Sequence, residues 1–174
     1  MSINSKILFR NFLKWRYQNI SNKQFIRIAS AIIGLLAGLG AVMLKNFTHF
    51  IQHLLQGEFI KDIHISFYFI FPVIGLLLVL LIKKYVIKKK VGHGIPSTLY
   101  AISRQKGIMP RHQMWSSIIT APLTVGFGGS VGLEGPTVAT GAALGSNFAR
   151  LFHLNQTTKT LLIGAAAAGA MSSI

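Results

Sequence analysis

The formal charges of this chain lie mostly between its apolar stretches and seldom within them, a pattern that points to helices crossing a bilayer. Eighteen Lys and Arg stand against three acids, for a net charge of +15, yet 51% of the residues are hydrophobic and the mean hydropathy is +0.53. Residues 25–55 carry only Arg27 and Lys45 and are long enough to cross a hydrocarbon core obliquely. Residues 66–82 are seventeen uncharged positions, near the lower limit for a span. Residues 113–132 form a third candidate, and residues 158–174 begin a further apolar segment. The expected fold class is all-α and integral to the membrane. A basic soluble protein that binds nucleic acid would gather its charge on one folded surface with recognition elements between. The charges here are dispersed between spans, so nucleic acid is not an expected partner and the lipid bilayer is.

Charge placement predicts the orientation. The first 27 residues hold six basic side chains, and Lys83, Lys84, Lys88, Lys89 and Lys90 follow the second apolar stretch, whereas residues 56–65 have only Lys61 against Glu58 and Asp62. By the positive-inside rule the N-terminus and the lysine run are cytoplasmic. Arg104, Lys106 and Arg111 extend the inside set. The third span then runs outward, and the chain returns to mid-membrane before a helix from Pro136 exits inward towards Arg150 and Lys159. Residues 1–24 have no acid and place Lys6, Arg10 and Lys14 on one helical stripe opposite Leu8, Phe12 and Trp15. They read as a cytoplasmic amphipathic helix on anionic lipid, with an organelle presequence as the alternative. No secretory signal is evident, because the first apolar run is too long and comes too late. The absence of cysteine excludes disulfides.

Within this frame Glu134 is anomalous. It stands in GFGGSVGLEGP, residues 126–136, after about twenty residues without a formal charge. An ionisable group at membrane depth is costly unless it faces protein or a water-filled path, so it reads as functional. The glycines allow backbone to bend and approach a ligand closely, and Pro136 suits the first turn of a new helix. The free N–H groups and positive dipole end of such a helix favour an anion, and Glu134 supplies a tethered one. GHGIP, residues 92–96, is built alike, with glycines, one special side chain, then Pro96 and the hydroxyl residues Ser97 and Thr98 opening a short helix. One such string is as well explained by an ordinary turn. Two Gly/Pro-interrupted elements together indicate a binding site made from helix ends.

GHGIP at 92–96, GLEGPTV at 132–138, GAALGSNFAR at 141–150 and LLIGAAAAGA at 161–170 resemble the CLC chloride channels and chloride/proton antiporters over residues 25–174. The resemblance implies the first part of the CLC transmembrane domain, an incomplete first half of an inverted repeat with Gly/Pro-interrupted half-helices. It implies that Glu134 is the gate and proton acceptor, its carboxylate occupying an anion site when closed and leaving it when open or protonated. Gly92, His93, Gly94 and Ile95 would then line one side of the anion path, and the backbone of Gly132, Leu133, Gly135 and Thr137 the other. Pro136 has no N–H to offer. Chloride is the implied ligand, with protons as a second one in the antiporters, no cofactor, and a homodimer as the assembly.

Two residues depart from the pattern. The family string usually reads GSGIP, with a serine hydroxyl on the central anion, and here that position is His93. A neutral imidazole donates one N–H to an anion, and a protonated one adds charge near neutral pH. Relatives that vary here differ in anion preference, so fluoride or nitrate stand as alternatives to chloride. The other alternative is that the ring points away and the amides of Gly94 and Ile95 face the anion alone. Leu133 replaces an arginine common beside the glutamate. Without that cation the carboxylate loses a neighbour favouring ionisation, and easier protonation is expected.

The remaining signals point to packing. Gly34, Gly38, Gly141, Gly145, Gly164 and Gly169 suit close helix contacts through small-x-x-x-small pairs. His49 and His53 are spaced i, i+4, with His64 near, but no carboxylate or cysteine completes a metal set. The inverted second half of the CLC fold, with its GxFxP-like helix start and inner tyrosine, is not in the sequence, so residues 1–174 alone are expected to lack a complete pore. The implied function is anion transport as a passive channel or proton-coupled antiporter, in which no bond is made or broken. A membrane enzyme using Glu134 as acid or base, with His93 as partner, is the rival reading. The implied location is a bacterial inner membrane with the N-terminus inside.

Overall fold

The longest helix buries one narrow stripe in which alanines alternate with a few large apolar residues, and it leaves most of its large apolar side chains facing outward. The computed structural model describes residues 21–56, 70–89, 92 and 94–172. Helix α1, Asn22–Gln56, has 35 residues. It buries Phe25, Ala29, Ile33, Ala37, Ala41, Leu44, Thr48 and Ile51, a stripe of three- and four-residue steps. Ile28, Ile32, Leu35, Leu36 and Leu39 are exposed instead. An outward apolar face of that extent suits lipid, and inward alanines let neighbouring backbones approach. Helix α2, Ile70–Ile82, continues through a π-helical turn at Lys83–Ile87 and is closed by Lys88 at φ 52°. Gly75 is its one buried residue before the π turn, seated on Phe127 and Leu123. Both α1 and the Ile70–Ile87 stretch are long and apolar enough to cross a membrane.

Four further helices follow: α3 Ile95–Arg104, α4 Gln113–Gly126, α5 Glu134–Leu151 and α6 Gln156–Met171. Among the described residues the fold is all-helical. Helix α6 packs on both α1 and α5. It runs parallel to α1, where Gly34 faces Ala165 and Gly38 faces Gly169, and antiparallel to α5, where Gly145 faces Leu162 and Gly141 faces Ala166. A Cβ built on Gly141 would lie 2.6 Å from the Ala166 carbonyl oxygen, and one on Gly145 2.5 Å from that of Leu162. Gly34, Gly38, Gly141, Gly145 and Gly169 therefore occupy helix contacts as expected. Gly164 does not: no atom lies within 4 Å of a Cβ built there. At the other end of this group the Phe25 and Phe152 rings pack 5.5 Å apart, so the start of α1 meets the end of α5. The Asn155 side chain accepts from the Thr158 amide at 2.9 Å and caps α6.

Ser146 fixes the turn that joins α3 to α4. Fully buried on α5, its hydroxyl donates to the Gly107 carbonyl at 2.6 Å and accepts from the Met109 amide at 2.9 Å. Asn147 donates to the carbonyls of Ala143 at 2.8 Å and Met109 at 3.4 Å. These bonds hold α3 and α4 against α5.

Some boundaries differ from expectation. The third apolar stretch was expected to span residues 113–132, but α4 ends at Gly126 and carries Pro122 inside it. Gly128 turns the chain at φ 88°, and the Gly129 amide donates to the Thr124 carbonyl at 2.9 Å. A string of glycines continues an apolar stretch in composition but not in helix, because glycine is costly there and cheap at a turn. The last apolar segment is helical over Gln156–Met171. Helix α1 begins inside the segment expected as a separate N-terminal helix. The basic stripe of Lys6, Arg10 and Lys14 lies outside the described residues, as does residue 93.

Candidate functional site

The two Gly/Pro strings meet in space. Gly94 caps α3 at φ 62°, ψ −124°, with Pro96 in the first turn, a backbone conformation suited to glycine. A Cβ built on Gly94 would lie 3.1 Å from the Cα, carbonyl carbon and oxygen of Gly135, in the first turn of α5. Further along, Ala101 of α3 shares a buried cluster with Ala142 and Ala143 of α5. The two helices thus run side by side in the same direction, with both positive dipole ends at one locus.

Local bonds shape the α3 end. The Ser97 hydroxyl donates to the Gly94 carbonyl at 2.8 Å, and the Thr98 hydroxyl and amide donate to the same oxygen at 3.2 and 3.3 Å. That carbonyl is turned back into its own helix, leaving the donor end of α3 outermost. Gly92 is half-buried. A Cβ there would strike the Gln113 side-chain amide and come within 2.6 Å of Ser97 Oγ. Ile95 is 45% exposed.

On the α5 side the helix opens at Glu134, two residues before the Pro136 start that the sequence suggests, with Leu133 as N-cap. Glu134 is exposed and Leu133 and Gly135 are half-buried. Leu133 lines a cleft with Lys45, Thr48 and His49 of α1. Helix α5 therefore starts about two to three turns short of the C-terminal end of α1 and not level with it. Gly132 is exposed, and nothing lies within 4 Å of a Cβ built on it. The fold among the described residues makes no demand for glycine there. Thr137 departs from its expected role: its amide donates to the Leu133 carbonyl at 3.0 Å, inside the helix, and its side chain is buried.

The structure thus gathers Gly94, Ile95, Leu133, Glu134 and Gly135 around one helix-end junction, with Gly92 behind it and Thr137 beneath. The sequence reading missed Gln113 and Ser97 as the groups packed on Gly92. It also missed a set of buried polar atoms, Gln113 Oε1, Ser116 Oγ, Thr137 Oγ1 and Thr140 Oγ1, that have no hydrogen-bond partner among the described residues. Polar side chains recurring in stretches otherwise fit for lipid, at 113, 116, 137 and 140, were the available signal. His49 and His53 are both exposed on α1, and His64 lies outside the described residues.

No curated protein and no solved structure matches the chain. The family model described as voltage gated chloride channel matches residues 74–174, more than half of the chain and the whole of the helix-end junction. The chain therefore belongs to the voltage gated chloride channel family.

Proposed function

We propose that this chain forms one wall of a transmembrane path for chloride or a similar inorganic anion, gated by Glu134. Membership of the family supports anion transport in a membrane setting. The observation that carries the finer reading is the contact of Gly94 with Gly135, which sets the N-termini of α3 and α5 against each other. Two helix ends offer unsatisfied N–H groups and aligned dipoles to one anion without placing a full cation in the membrane. Glu134 stands at that junction in the first turn of α5. Its carboxylate fits the same donors that would hold chloride, so carboxylate and anion compete. Protonation or displacement of Glu134 frees the site. The exposed glycine backbone at 132 lets an anion approach closely.

The junction is open on the side where Ile95, Gly132 and Glu134 are exposed. A complete path takes a further wall, and the inverted half that the resemblance implies is its proposed source. The test is anion efflux from vesicles carrying the complete subunit, with chloride, nitrate and fluoride compared and the proton gradient followed. Selective efflux is expected, and proton movement linked to it separates an antiporter from a channel. Residues 1–174 alone should insert and conduct nothing. An enzyme using Glu134 as acid or base would instead show turnover of a substrate with no efflux, and that outcome would refute the transport reading.

A further inference from the structure

The C-terminal ends of α3 and α5 and the start of α6 close on the turn at residues 105–112, and the formal charges around it are all positive. Arg104 ends α3, Lys106 stands in the turn at φ 54°, and Arg111 lies two residues before α4. Ser146 bonds the turn to α5 through Gly107 and Met109, and Arg150 follows Ser146 by one helical turn. Lys159, in the first turn of α6, lays its stem along the same turn, with its Cβ and Cδ 3.4 and 4.0 Å from a Cβ built on Gly107. The chain holds three acids, Glu58, Asp62 and Glu134, and none can pair with these five cations. Glu134 stands twelve residues before Ser146 and sixteen before Arg150 on α5, roughly 18 and 24 Å along the axis. Glu58 and Asp62 lie outside the described residues, but both are tethered within six residues of Gln56, at most ~22 Å of chain. Gln56 is 31 residues along α1 from Phe25, about 46 Å, and it is Phe25 that meets Phe152 beside the cluster. The counter-charge for this turn therefore comes from outside these residues.

We propose that this turn binds the phosphate of an anionic phospholipid, held by Arg104, Lys106, Arg111, Arg150 and Lys159 at the membrane face that the positive-inside rule assigns to the cytoplasm. The proposal does not depend on the role of Glu134. Apolar neighbours favour a lipid over free phosphate. Ile108 in the turn, Trp115 in the first turn of α4 and Leu161, two residues after Lys159, are exposed, and they give acyl chains a surface beside the cations. Tryptophan is enriched at the level of the headgroups. Lysine and arginine at that level lay their stems on apolar surface and turn their charged heads to the phosphate. A phosphate that touches Lys106 and Lys159 together clamps the α3–α4 turn to α6, as Ser146 already clamps it to α5.

The test uses the complete subunit in detergent, with native mass spectrometry counting bound lipid and unfolding midpoints followed in parallel. Wild type should retain phosphatidylglycerol about ten-fold more tightly than phosphatidylcholine and unfold later in its presence, and high salt should weaken that preference. Lys159→Met keeps the stem on Gly107 and removes the charge, while Lys106→Asn keeps a residue that tolerates positive φ. Each should weaken phosphatidylglycerol retention about five-fold and leave phosphatidylcholine unchanged, and Lys159→Arg should keep the wild-type preference. Should either variant fail to fold, Arg111→Gln and Arg150→Gln, both at exposed positions, take its place. Equal retention of the two lipids, or charge-removing variants that lose no phosphatidylglycerol, would overturn the site. Inorganic phosphate that raises the unfolding midpoint as much as phosphatidylglycerol does would identify a soluble anion and refute the lipid. Variants less stable than wild type in lipid-free detergent, with phosphatidylglycerol adding nothing to wild type, would assign the cations to a carboxylate elsewhere in the subunit and refute it as well.

Discussion

Gly94 and Gly135 touch backbone to backbone, and the contact is unequal. A Cβ on Gly94 would meet three Gly135 backbone atoms at 3.1 Å with φ at +62°, whereas a Cβ on Gly135 would sit 3.9 Å from the Gly94 Cα, an ordinary van der Waals distance. Gly94→Ala therefore has to strain its own backbone and push two helix ends apart, at a cost of about 1–3 kcal/mol. Gly135→Ala should be tolerated to within ~1 kcal/mol. Unfolding midpoints in detergent compare the two, and chloride binding should fall with G94A before it falls with G135A. Equal behaviour would argue against the contact.

Gly132 separates folding from function. Since nothing lies within 4 Å of a Cβ built there, Gly132→Ala should leave stability unchanged or raise it by about 0.4–1 kcal/mol. If the backbone at 132 lets an anion approach, the same variant should slow flux. A variant with normal stability and normal flux would remove Gly132 from the path.

The α5–α6 crossing gives a matched pair for the packing argument. Gly145→Leu drives a side chain into the Leu162 backbone and should cost at least ~1–3 kcal/mol, while Gly164→Ala meets open space and should be neutral or slightly stabilising. Resistance to unfolding in mixed detergent micelles reads both. Similar losses at the two positions would contradict the crossing geometry.

His93→Ser tests the departure in the first string. The serine variant should change the relative permeation of chloride, nitrate and fluoride, and it should remove any flux component titrating between about pH 6 and 7. An unchanged selectivity and pH profile would leave the Gly94 and Ile95 amides as the donors on that side.

Much of this was legible from residues alone. The apolar runs located α1, α2 and α6 because lipid leaves few options for an uncharged stretch of that length. The pairing of GHGIP with GLEGP foretold helix starts at Pro96 and Pro136, one and two residues after the observed starts at Ile95 and Glu134. Hydropathy could not tell that α4 stops at Gly126, since glycine is counted as apolar whether it lies in a helix or a turn. Small residues at intervals of four identified Gly34, Gly38, Gly141, Gly145 and Gly169 as contacts, but Gly164 has the same composition around it and faces open space. Which side of a helix meets a neighbour is set by the packing of all its partners. The cleft of Lys45 and Leu133 was hidden for a similar reason: 88 positions separate the two residues, and only the shared packing of α1, α4 and α5 brings them together.

The central claim is that Glu134 gates the junction of α3 and α5, and Glu134→Gln tests it most directly in the complete subunit reconstituted in vesicles. Glutamine keeps the shape of a protonated carboxyl and cannot carry the charge that competes with an anion. Anion efflux and proton movement are recorded together under opposed chloride and pH gradients. The predicted result is anion flux at least equal to wild type, with no linked proton movement and no response of the flux to pH beyond any component that His93 supplies. Complete loss of anion flux from correctly folded protein, or a flux with the pH response and proton linkage of wild type, would contradict the account.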